Sequence, residues 1–323
     1  GPFAGYSNLI GSDNILIGPN AGHDNTSNDN IFIGSSAGYN NTSGTENIFI
    51  GTTAGYSSES GDKNILIGMN SGRSNTSNDN IYIGHSTGYN SSSGTKNVYI
   101  GTSAGYNNKV GQTSIFIGTE AGYNANVDNN LFIGYRSGYA TTSGGNNILI
   151  GNESGKQNQT GESNIIVGYL AGSSGATNRS GNILIGREAG KAIDASDNIF
   201  VGTQAGKVNT TGNDNVFIGT DTGLANVTGS DNIFLGYKAG TSNLSNNNIF
   251  IGPQSGQANT TGSSGIMIGT ATGYSNKAGE NSIFIGANAG YSSNVNNNMF
   301  IGTEAGYNTT IGTDNIFVGT TAG

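Results

Sequence analysis

Three stretches of the sequence match the G-x-S-x-G pattern that holds a nucleophilic serine in many hydrolases: GSSAG (Gly34–Gly38), GHSTG (Gly84–Gly88) and GTSAG (Gly101–Gly105). The second sets His85 directly beside Ser86. Acyl transfer needs more than the pattern: a sharp strand-to-helix turn must expose the serine, with an imidazole and an acid in reach. The chain has two histidines, His23 and His85, and no visible partner orients either. With no cysteine, a thiol nucleophile, a disulfide and a cysteine zinc site are all excluded. The three matches arise because G-x-x-A-G recurs along the whole chain with serine frequent at its centre. An enzyme is not expected.

Other residue types could bind rather than react. Acidic side chains recur at Asp13, Asp29, Glu46, Asp79, Asp197, Asp214, Asp231 and Asp314. Carboxylates and carbonyls in stacked turns can hold Ca²⁺. The glycine-and-aspartate nonapeptide of calcium β-rolls is absent, however, and a solvated acidic edge is the plainer expectation, with no cofactor. Tyrosines follow an A-G-type pair at Tyr39, Tyr56, Tyr89, Tyr106, Tyr123 and Tyr139, and give way to Lys156, Lys191 and Lys207 further on. Such a stripe could stack on glycans, or its rings could simply pack over the turns beneath them. Nucleic acid is not an expected partner, because the net charge is −8 and the 12 basic residues are scattered.

The elements that would carry these residues are set by repetition. A glycine closing an N-I-F-I-G-type motif stands at 18, 34, 51, 68, 84, 101, 118 and 134, and on to 319, in steps of 16 or 17. Three steps sum to about 50 residues, a triplet super-period, and one step of 18 falls between Gly168 and Gly186. The array fills residues 1–323 in phase at both ends, so a single continuous repeat domain is expected, cut from a longer array. No segment is long and apolar enough to suggest membrane insertion. Composition alone would suggest disorder, with 33% apolar residues and 56 glycines in 323, but the apolar residues keep strict register. A unit this short is too small for a helix pair or a propeller blade. It suits one coil of an all-β, parallel, two-sided β-solenoid with two short strands and two tight turns.

Each repeat then resolves into columns. Asparagine precedes the apolar triplet at Asn14, Asn30, Asn47, Asn64, Asn80 and Asn97 and in most later coils, with Ser114, Gly265 and Ser282 as exceptions. Stacked asparagines can bond their own turn and one another, a structural ladder. The first and third residues of the triplet, such as Ile31 and Ile33, are almost all isoleucine and are expected inside, opposite small residues such as Ala37. That expectation leaves the middle residue outside: Phe32, Phe49, Tyr82, Tyr99, Phe116, Phe132, Phe200, Phe217, Phe234, Phe250, Phe284, Phe300 and Phe317. An apolar stripe of this length exceeds what a soluble monomer leaves exposed, so it is expected to be a subunit interface with copies of the same chain.

The run NIFIGTTAGYSSESG (Asn47–Gly61) resembles the head repeats of trimeric autotransporter adhesins. It is closer still to the N-T-x-I-G-x-x-A-G-Y arrays of tail-fibre-like proteins that carry an endosialidase-type chaperone domain. The resemblance implies left-handed β-rolls packed as a homotrimer with the middle residue of the strand at the axis. It departs in its longer coil and its aromatic at that position. The function expected is a structural, fibrous, extracellular repeat protein forming a self-associated shaft of a surface appendage. A receptor- or glycan-binding adhesin module is the alternative. Ice binding is more remote, since the Thr52, Thr102 and Thr119 rank is broken by Ser35, His85 and Tyr135.

Overall fold

The computed structural model describes residues 1–175 and 178–323, so part of the 18-residue step, Ala176 and Thr177, lies outside the described residues. The described strands are each three residues long, one per coil, and no helix occurs among the described residues. The chain divides into two compact units, Gly1–Ser163 and Asn164–Gly323. The first holds β1 (Ile15–Ile17), β2 (Ile31–Ile33), β3 (Ile48–Ile50), β4 (Ile65–Ile67), β5 (Ile81–Ile83), β6 (Val98–Ile100), β7 (Ile115–Ile117), β8 (Leu131–Ile133) and β9 (Ile148–Ile150). The second holds β10 (Ile165–Val167), β11 (Ile183–Ile185), β12 (Ile199–Val201), β13 (Val216–Ile218), β14 (Ile233–Leu235), β15 (Ile249–Ile251), β16 (Ile266–Ile268), β17 (Ile283–Ile285), β18 (Met299–Ile301) and β19 (Ile316–Val318).

Within each unit every strand pairs in parallel with the next in sequence, in full register: Phe32 sits on Phe49, and Phe217 on Phe234. Each unit is therefore a parallel β-solenoid. The second strand expected per coil is a stacked turn instead. Gly38 of the A-G pair has φ 57°, outside the strand region, yet its N–H still bonds to the next coil, at 2.9 Å from the Ala54 oxygen. Backbone groups in the turns are thus satisfied coil to coil as in the strands, which lets so glycine-rich a chain hold a fixed shape.

The interior is the reverse of the expectation drawn from the triplet. Phe32, Phe49, Tyr82, Tyr99, Phe116, Phe132, Phe200, Phe217, Phe234, Phe250, Phe284 and Phe300 are all completely buried inside their own chain, and Phe317 is half-buried. They are the core and not a subunit interface. The isoleucines on either side face outward: Ile115 and Ile148 are 40% and 38% exposed. The cause is volume. In a three-residue strand the middle side chain points one way and its neighbours the other. Across the coil lies the A-G turn, so close that a Cβ on Gly38 would sit 2.6 Å from the Phe32 ring. The cavity admits one large side chain per coil, a ring in most coils and Leu66, Leu149, Ile166, Leu184 or Met267 in others. Ala37 and Ala54 complete the interior, as expected for the small column.

In-register pairing stacks the rings. Centroids are 4.8 Å apart for Phe32–Phe49, 4.7 Å for Tyr82–Tyr99 and 4.7 Å for Phe217–Phe234. This is the spacing of neighbouring strands, so the backbone ladder and the aromatic stack reinforce one another.

Candidate interaction surfaces

The asparagine before each strand is an internal strut. Asn47 N–H bonds the Asn30 Oδ1 at 3.0 Å, Asn64 N–H the Asn47 Oδ1 at 2.9 Å, and Asn97 N–H the Asn80 Oδ1 at 3.0 Å. The amide nitrogens reach into the next coil's turn: Asn14 to the Ser27 oxygen at 2.7 Å and Asn47 to the Gly61 oxygen at 2.6 Å. Asn30, Asn47, Asn64, Asn80 and Asn97 are fully buried, so none of their amides is offered to a ligand. At Ser114 the hydroxyl substitutes, receiving the Asn130 N–H at 3.2 Å.

A second buried column, seven residues after the closing glycine and polar in most coils though Ala125 and Ile193 interrupt it, escaped the sequence reading. It includes Asn41, Ser58, Asn75, Ser91 and Asn108 in the first unit and Asn209, Asn226 and Asn259 in the second. The sequence signal was present, an asparagine or serine at one fixed offset, but surrounding Asn-, Ser- and Thr-rich turns concealed it. Where the core ring is tyrosine, this column receives its hydroxyl. Tyr82 Oη lies 2.8 Å from Ser91 Oγ, and Asn108 Nδ2 donates to Tyr99 Oη. Burial drives both phenols above their ordinary pKa, Tyr82 with Ser91 and Asn97 opposing the rise. In the 18-residue coil the equivalent position is Gly175, and the fully buried Arg179 guanidinium fills its place. It donates from Nη1 to the Ile193 oxygen at 2.7 Å and from Nη2 to the Gly172 oxygen. Burial lowers its pKa to about 10, with Asp194 opposing.

The outer tyrosines form a ladder of stacked rings. Centroids are 5.1 Å apart for Tyr39–Tyr56, 5.0 Å for Tyr89–Tyr106 and for Tyr106–Tyr123, and 5.2 Å for Tyr123–Tyr139. Arg73 replaces a ring and lies 5.0 Å from the Tyr56 centroid and 5.7 Å from that of Tyr89. The faces on which a sugar would stack are covered by neighbouring rings, and only edges and hydroxyls point outward. In later coils lysines take this position and pair with acids: Lys156 with Glu153 at 2.9 Å, and Lys191 and Lys207 with Glu188 at 3.1 and 2.9 Å.

The residues that matched catalytic patterns are not brought together. Ser36, Ser86 and Ser103 lie in turns with φ of 56°, 53° and 55°, with no helix following. His23 Nδ1 contacts Asp24 Oδ1 at 2.6 Å, and Ser7 Oγ donates to the same carboxylate oxygen at 3.2 Å. That order places the acid in the middle, where nucleophile activation needs the imidazole. The acidic column of Asp13, Asp29, Glu46 and Asp79 occupies positive-φ turn positions on the surface, with Lys63 and Lys96 at equivalent positions of neighbouring coils. Among the described residues no cluster of three or more histidines and acids could hold a metal ion.

What remains is the outer face of the strands. Two columns, β-branched but for Leu131 in the first unit and Leu235 and Met299 in the second, run along each unit partly exposed, with Ile83 at 36%, Ile218 at 42% and Ile233 at 39% among the more open. Among the described residues of either unit, nothing covers them fully. No family model matches the sequence, and no curated protein does either.

Proposed function

We propose that this chain is a structural, fibrous, extracellular repeat protein, part of an elongated shaft of a surface appendage or fibre that associates with copies of itself. The observation supporting this reading is the partly exposed isoleucine face, repeated at every strand among the described residues. At on the order of 50 Å² per side chain, the two columns of the first unit expose roughly 900 Å², beyond the few hundred Å² of a typical monomer's largest patch. Self-association survives the inversion of the core, but its face changes from the aromatic column to the isoleucine columns. The trimer axis implied by the adhesin resemblance thereby loses its support, since the residue meant to lie on it is inside. Left-handed winding and a packing role for the 50-residue triplet belong to the same proposal and rest on that resemblance and on the sequence period.

The test is the solution mass by sedimentation equilibrium over a hundredfold concentration range, together with small-angle scattering. A defined multiple of 32.8 kDa with rod-like scattering is expected. A monomer at every concentration would overturn the reading.

A further inference from the structure

We propose that the isoleucine face of each unit, taken by itself, is covered by the same face of that unit in a second copy of this chain, the two stacks of coils running in the same direction about a two-fold axis parallel to that unit's own stack. This deepens the self-associating reading and rests on it.

Area comes first. The roughly 900 Å² offered by the first unit alone is comparable with the ~800 Å² that each partner buries in a standard stable interface. Periodicity comes second. The face is two parallel columns, spaced along the stack by the strand separation and carried on strands in exact register, such as Ile31 on Ile48 and Ile33 on Ile50. A partner that seats side chains into every gap must carry apolar columns of the same period, and the matching surface in hand is this face itself. Two sheets packed so would lie about 10 Å apart with interdigitated side chains.

Charge selects between the two ways of doing this. The residues two before each strand form one rim of the face, and those two after it form the other. In the first unit the leading rim carries Asp13, Asp29, Glu46 and Asp79, relieved by Lys63 and Lys96, and in the second it carries Asp197, Asp214, Asp231 and Asp314. The trailing rim holds Ser35, Thr52, His85 and Thr102 in the first unit and Arg187 and Thr220 in the second, with no carboxylate at these positions in either. A two-fold axis along the strands would lay acidic rim upon acidic rim. An axis along the stack lays each acidic rim on a partner's neutral or basic rim, which avoids like-charge contact. The copies therefore run parallel, a polarity suited to a shaft.

The chain has no cysteine, so single labels are clean. Nitroxide labels on Ser35→Cys and, separately, Thr119→Cys would be read by pulsed electron-spin distance measurement on the full chain. Both are exposed trailing-rim positions in the first unit, Ser35 after β2 and Thr119 after β7, five coils apart. Parallel pairing gives similar inter-copy distances of about 20–30 Å at both sites, from strand and sheet spacings. Distances that differ widely between the two sites would overturn the parallel arrangement. In a second arm, Ile117→Lys with Ile133→Lys should weaken association on the order of 100-fold or more, since two charges enter an apolar interface. Circular dichroism and thermal unfolding would confirm that the coils persist. A mass unchanged by these substitutions would overturn the face assignment while leaving self-association standing, whereas a wild-type chain that never associates would overturn both.

Discussion

Phe217 and Ile218 are neighbours in one strand, similar in hydrophobicity, yet Phe217 is fully buried and Ile218 is 42% exposed. The inner and outer faces of the strands thus use the same driving force at different levels. The inner column is buried by folding alone, one large apolar side chain per coil, most often a ring, against the glycine of the A-G turn. The outer columns keep part of their surface open to a partner. A substitution should show which level it acts on. Phe217→Ala, measured by thermal or chemical unfolding, is expected to cost about 3–5 kcal/mol, because the thin interior has no neighbour large enough to refill the space. Ile218→Ala should cost under about 1 kcal/mol in the isolated chain, as half of the side chain is already in water. Equal costs at the two sites would break the distinction.

How far this was legible in the sequence differs between the two faces. The coil length, the parallel register, the asparagine ladder and the small alanine column could all be read, because each depends on spacing or turn chemistry. The direction of the triplet could not be read from residue type. Stacked β-branched residues suit an outward sheet surface as well as an interior, so the uniformity of the isoleucines did not discriminate. The deciding fact was the opposite wall: glycine at Gly38 and Gly55 where a second strand was expected, each with its α-carbon against a ring. A column of glycines six residues after a column of aromatics is the signal that would have revealed it. In the candidate surfaces, the tyrosine stack was visible as a column, but closure of its faces depended on ring orientation, which spacing does not give.

The outer surface also has a polar lock, and acid should open it selectively. Glu188 is nearly buried between Lys191, Gln204 and Lys207. Its hydrogen bonds from Lys207 and Gln204 lower its pKa to about 2 against an ordinary 4.5. A carboxylate held below its unfolded value contributes stability that is complete above about pH 4.5 and is lost as pH falls toward 2. With screening at the rim of the site, the contribution is on the order of 1–2 kcal/mol. Unfolding midpoints between pH 5 and pH 2 should therefore fall more steeply for the wild type than for Glu188→Gln. Parallel curves would mean that the lysine pairs contribute nothing to the second unit.

A smaller gain is available inside, where the asparagine ladder has a gap. Gly265 donates its N–H to Asn248 Oδ1 at 2.9 Å but has no side chain to receive the Ser282 amide. A Cβ there would meet nothing closer than 3.2 Å, and the backbone is not in the left-handed region. Gly265→Asn should add about 1 kcal/mol, from restored hydrogen bonds and a less flexible unfolded chain. No gain would indicate that the ladder acts through backbone pairing alone, leaving the asparagines as fillers.

The finest test concerns the ring column itself. Tyr99 places its hydroxyl where Asn108 donates to it, and its ring still stacks on Phe116 with centroids 4.7 Å apart. Phe200 occupies the equivalent site before Asn209, whose amide nitrogen and oxygen are buried without a hydrogen-bond partner. Phe200→Tyr should give that amide its missing contact and raise stability by about 0.5–1 kcal/mol, the net value of a hydrogen bond made in place of an unmet group. The gain should disappear in Phe200→Tyr combined with Asn209→Ala, a double-mutant cycle that isolates the pair. If tyrosine instead destabilises the coil, the interior is filled so tightly by a bare ring that one oxygen is too many. The use of tyrosine at Tyr82 and Tyr99 and of phenylalanine at Phe116 and Phe200 would then record differences in cavity size between coils rather than freedom to choose between the two rings.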